Sequence, residues 1–74
     1  MTKILISPDN PNGIRLEVLL EQVRGDLIER CAHIVDDHRP GAATVLRNNI
    51  EIMALLGDCL DRARESAKAV SRLG

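Results

Sequence analysis

The 74-residue chain predicts an all-α fold: an antiparallel helical hairpin that dimerises into a four-helix bundle, preceded by a short extended N-terminal stub. Three observations lead to it. Apolar residues recur at alternating spacings of three and four on both sides of a single break, which is the repeat of a helix that buries one face. The break itself, His38-Arg39-Pro40-Gly41, joins a residue disfavoured in helix by the proline after it to a proline and a glycine. Both apolar stripes are also wider than one neighbouring helix can cover.

Taken in chain order, Lys3-Ile4-Leu5-Ile6 is an apolar stub of strand-like composition. Ser7-Pro8-Asp9-Asn10-Pro11-Asn12-Gly13 is a connector dense in turn formers, and its two prolines exclude continuous helix. Residues 1–12 are therefore read as stub and turn. Asn12 is placed to cap the first helix through its side-chain oxygen, with Asn10 ahead of Pro11 as the alternative. The first helix is expected over 13–37, with Leu16, Leu20, Val23, Leu27, Cys31 and Ile34 on its stripe. The turn takes 38–41. The second helix is expected over 42–73, with Leu46, Ile50, Met53, Leu56, Leu60, Ala63, Ala67 and Val70 on its stripe and Gly57 as its one weak point. Residues 1–74 are read as a single domain.

The width of the stripes decides the assembly. Leu19 extends the first stripe on one flank, and Ile28 and Val35 extend it on the other. Val45, Ile52 and Cys59 widen the second stripe on one side, Ile50 lies on its other side, and Leu55 points nearly backward. A lone hairpin leaves much of this exposed, and exposed apolar patches mark interfaces. A core of this size supplies roughly 3 to 5 kcal/mol without a staple, so a second chain is the expected support. The expected core and dimer interface is Leu16, Leu20, Val23, Leu27, Ile34, Leu46, Ile50, Met53, Leu56 and Leu60. After Leu60 the second stripe shrinks to alanines, and antiparallel pairing leaves about two turns of helix overshooting the first. The stub either doubles back over Val70 and Leu73, pairs with its symmetry mate, or remains a free tail. Asn49 has two readings as well. It sits inside the seam, where a polar residue selects register, or a small rotation sets it at the rim with Ile50 inward.

Composition narrows the functional classes. Hydrophobic residues make up 45% of the chain without a single Phe, Tyr or Trp, so no aromatic platform for bases or sugars exists. A net charge of −1 offers no field for a phosphate backbone. Nucleic acid is not an expected partner. Cys31 and Cys59 lie among apolar positions, where free cysteine behaves as a small buried hydrophobe, and no Cys-x-x-Cys or Cys/His cluster suggests zinc. No run approaches the roughly 20 apolar residues of a membrane span, and residues 3–6 are too short for a signal-peptide core, so no membrane association and a cytoplasmic location are expected.

The concentrated polar chemistry is Glu29, His33, Asp37 and His38, with Asp36, at the end of the first helix. Glu29, His33 and Asp37 follow at four-residue spacing and project from one side. They could form half of a metal site completed by a second chain, yet they lack the Glu-x-x-His spacing of di-iron bundles. The other reading is a solvated rim, with Asp37 capping the turn and His38 on the free carbonyls of the helix end.

In architecture, a dimerising hairpin with a His beside acids also resembles the dimerisation and phosphotransfer module of two-component signalling. In such modules the phosphorylated His lies within the first helix, followed by an acid or polar residue and often a proline. Here Asp37-His38-Arg39-Pro40 puts one candidate at the turn, and His33, within the helix, is followed by Ile34. The resemblance covers the hairpin alone, and it implies His33 or His38 as the acceptor. No nucleophile and base come together and no glycine-rich phosphate loop is present, so an enzyme is not expected, nor a cofactor. The expectation is a small homodimeric protein-protein interaction module, an adaptor or regulator, with phosphotransfer or weak metal binding as the alternatives.

Overall fold

The computed structural model describes residues 3–73 and shows two helices packed against each other as a hairpin. Helix α1 spans Leu16–Ile34 and helix α2 spans Ala42–Leu73. No strand forms among the described residues; two isolated bridges, Leu5 with Ile14 and Ser7 with Asn10, shape the segment before α1.

Helix α1 is shorter than the expected 13–37 at both ends, for local reasons. At its start Asn12 does not cap it. Arg15, in extended conformation, holds the N-cap position without a side-chain cap bond. The chain up to Ile14 is committed elsewhere: Ile14 N–H donates to Ile4 O at 3.0 Å, and Ile6 N–H donates to Ile14 O at 2.9 Å. At its end Val35 N–H still reaches Cys31 O, but Asp37 N–H donates to Ile34 O at 2.8 Å, a tightening to three-residue spacing that closes the helix. Helix α2 occupies the expected residues. Gly41 enters it with φ 87°, a region open to glycine and costly to a residue with a Cβ.

The stub and connector fold into a compact loop organised by Asn10. Its side-chain Nδ2 donates to Leu5 O at 2.9 Å and Lys3 O at 3.1 Å. Its backbone exchanges hydrogen bonds with Ser7, at 2.9 and 3.2 Å, and its carbonyl also accepts from Gly13 N–H at 3.1 Å. Lys3 and Asp9 add an exposed ion pair at 3.1 Å. Gly13 is held so close to the stub that a Cβ there would stand 2.6 Å from Ile6 N, Leu5 C and Asn10 Nδ2. Two of those atoms are backbone and cannot swing aside. Gly13→Ala should therefore open the loop, at a cost of about 1 to 3 kcal/mol typical of overpacking. Amide exchange is the check: protection at Ile6 and Ile14 should vanish while α2 keeps its helicity, and unchanged protection would refute the crowding.

The helices run in register through three side chains. The Arg24 guanidinium lies over Gly57, with Nη2 3.7 Å from where a Cβ would stand, and Arg64 is ion-paired with Glu21. Leu60 and Ala63, at 4% and 6% exposed, lie between these contacts and are the buried hydrophobic residues among those described. Leu20, Leu27, Ile34, Leu46, Met53 and Leu56 are half-buried. Asn49 is half-buried and faces the groove beside α1, whereas Ile50 is 52% exposed on the hairpin, so of the two readings it is Asn49 that lies toward α1 within one chain. Cys59, expected inside, is exposed, and Cys31 is half-buried.

The resulting body is a slab of 52 × 26 × 16 Å, one layer of helices thick. Its radius of gyration is 16.0 Å, against about 11 Å for a compact domain of this length.

Candidate functional site

Two regions carry the candidate residues: the polar end of α1 and the apolar faces of the hairpin. At the polar end the structure separates the residues that spacing had grouped. Glu29 and His33 are exposed on α1 and His38 is exposed in the turn. Asp37 lies beyond the helix end and turns toward Arg39. Its Oδ1 accepts from the Arg39 backbone N–H at 2.9 Å and from Nε at 3.0 Å, while Oδ2 accepts from Nη2 at 2.6 Å. This is a side-chain turn reinforced by a forked ion pair. Arg39 was not among the candidate residues, because its bias before proline concealed that its side chain would fold back. Among the described residues no group of three or more His, Cys, Asp or Glu is placed to hold a metal ion.

The side-chain and backbone hydrogen bonds from Arg39, and its charge, hold the Asp37 carboxyl at about 2 against an ordinary 3.8. A carboxyl lowered by folding adds stability above its unfolded pKa, and that stability is lost as pH falls through the folded value. Asp37→Asn should therefore remove part of the acid-induced loss of stability between about pH 4 and pH 2 and leave the neutral range nearly flat. Urea midpoints across that window test it, and an unchanged acid limb would show that Arg39 does not hold the carboxylate in solution.

The apolar faces are more extensive. Along α1, Leu16, Val23 and Arg30 follow at seven-residue spacing and so share one stripe, as do Val45, Ile52, Cys59 and Ser66 along α2. The ends of the two rows meet. Arg30 and Val45 line one open groove of about 440 Å³ with Leu27, His33, Ile34 and Asn49. Leu16 and Ser66 line another of about 500 Å³ with Ile6, Arg15, Glu17, Ala63, Ala67, Val70 and Ser71. The stub thus reaches back toward the end of α2 as far as Ile6, beside Val70; the expectation for the Leu73 side chain lies outside the described residues. Both rows therefore lie on one broad side of the slab. Leu16, Val23, Val45 and Ile52 are each between 43 and 47% exposed there.

The opposite side carries the rows Glu21, Ile28, Val35 and Ile50, Gly57, Arg64. Toward the open end it is closed by the Glu21–Arg64 pair and by Arg24 over Gly57, and its exposed large apolar residues among those described are Ile28, Val35 and Ile50, toward the turn.

In all, the chain exposes 6121 Å², whereas a compact folded monomer of 8.1 kDa exposes about 4,500 Å². The excess of roughly 1,600 Å² is about twice what one partner contributes to an interface of standard size. No helix of the described residues is long and apolar enough to cross a membrane.

The fold and its faces define a two-helix hairpin with an ordered N-terminal loop and a large unpartnered apolar side. Comparison of the chain with known protein families, characterised proteins and solved structures gives no match.

Proposed function

We propose that this chain is a homodimeric protein-protein interaction module, two hairpins forming a four-helix bundle that serves as an adaptor or small regulator. The observation that carries the reading is the excess of exposed surface in a body one layer thick, with Leu60 and Ala63 as the buried hydrophobic residues among those described. Stable domains are built from two packed layers around a core, and this hairpin supplies one of them. A second copy is the partner always present at matching concentration, and a twofold interface lets the same surface serve on both sides. Light scattering at micromolar concentration should give twice the chain mass; a fully helical monomer would overturn the proposal.

A further inference from the structure

The geometry points to one side of the hairpin as the seam for the second copy: the side carrying Leu16 and Val23 on α1 with Val45, Ile52 and Cys59 on α2. This inference rests on the homodimer reading above and adds which surface is used. Three observations favour that side. Its apolar residues are spread along it: the α1 row runs for about 21 Å and the α2 row for about 32 Å at 1.5 Å per residue, with Leu16 and Val23 on the first and Val45, Ile52 and Cys59 on the second. A groove opens on this side at each end, so the side chains of a second hairpin have hollows to enter. Arg30 is the single charged residue in the rows, and with its exposed partner Asp26 it stands toward the turn, at one margin of this side, whereas the charged groups of the opposite side reach its middle at Arg24 over Gly57.

The opposite side fails on the same criteria. A hairpin docked there would bury the Glu21–Arg64 pair and the Arg24 guanidinium, all now in contact with water, and taking ionised groups out of water costs several kcal/mol each before any contact is regained. The apolar residues on that side, Ile28, Val35 and Ile50, are gathered toward the turn and cannot form a seam along the whole hairpin. A dimer interface of standard size covers roughly 800 Å² per chain, which the roughly 1,600 Å² excess of exposed surface accommodates; the seam side spreads its half-exposed apolar residues along both helices, whereas the other side gathers them in one cluster.

The occupant is a second copy of this chain because the surface complements itself. A nearly uncharged row set against its own twofold image meets no like-charge opposition, and two slabs 16 Å thick stack into the two layers that one hairpin lacks.

The test compares Ile52→Glu with Ile28→Glu by analytical ultracentrifugation, beside the unchanged protein. Ile52→Glu should weaken association by about a hundredfold or more, as a charge buried without a partner does. Ile28→Glu should leave the dimerisation constant within about threefold. The reverse pattern would overturn this assignment of the seam while leaving the homodimer intact; a monomeric parent protein would instead overturn the homodimer itself.

If Ile52→Glu unfolds, the dimer formed by Cys31→Ala supplies a second reading, since Cys59 is then its sole thiol. Cys59 is exposed on the hairpin, so its modification by a soluble disulfide reagent should slow by tenfold or more as rising protein concentration drives association, on the order expected for a shielded thiol. A rate independent of concentration across the dimerisation range would place Cys59 outside the seam and refute the proposal.

Discussion

Leu60→Ala should lower the stability of the protein by about 2 to 5 kcal/mol, the range for removing a buried leucine side chain and leaving its space partly empty. Leu60 is the more enclosed of the two buried residues. Arg24 over Gly57 and Glu21 with Arg64, both on one side of the hairpin, bracket it along α2. For a chain of this length the whole folding free energy is about 4 to 11 kcal/mol, so the loss would remove a large part of it. The measurement is the urea midpoint by circular dichroism at fixed protein concentration. Glu51→Ala and Glu65→Ala, exposed on α2, serve as controls and should stay within about 0.5 kcal/mol. Equal damage from all three substitutions would contradict the packing described for Leu60.

Dilution should unfold the protein. If the second layer of the core comes from another copy, folding and association are one equilibrium, and the apparent stability should fall by about 1.4 kcal/mol for each tenfold decrease in concentration. The melting temperature should accordingly rise steadily between about 1 and 100 µM protein. Helicity and mass should be lost together. A melting temperature independent of concentration would mean that the hairpin stands without its partner, and the proposed function would lose its physical basis.

How far this architecture was legible in the sequence depended on the range of the interactions that set each part. The bounds of α2 follow from local signals, since Pro40 and Gly41 punctuate the chain and nothing between Ala42 and Leu73 interrupts the helical repeat. The start of α1 was misplaced because Asn12 has the chemistry of a cap, while the contest was settled at a distance: the Ile4 carbonyl and Ile6 amide hold Ile14 extended. Asn10 and Gly13 gave no periodic signal, because one acts through carbonyls five and seven residues away and the other through close approach of backbone. The helix flanks were readable as widths. Which flank of α1 shares a side with which flank of α2 was not, since that depends on the sense in which the hairpin closes, and the grooves supplied it. Asn49 and Ile50 are neighbours on the edge of the stripe, and which of them turns inward is set by tertiary packing rather than by the repeat. Cys59 is exposed on the hairpin because its apolar neighbours Ile52 and Leu55 are exposed there as well, so the apolar run around it does not bury it within one chain. At the polar end, four-residue spacing grouped Asp37 with Glu29 and His33 on the assumption that the helix continues, and Arg39 drew it away.

A slab one helix deep leaves almost no amide more than a single side chain from water. Slow hydrogen exchange requires either a strong local opening barrier or burial under other atoms, and a hairpin of this thickness offers little of the second. Long-lived protection in the middle of α2, beyond what its own helical hydrogen bonds give, is then the mark of a covering chain. An exchange map of this protein would therefore record the footprint of whatever lies against it, residue by residue, and the side of the hairpin that opens last would be the side that is covered.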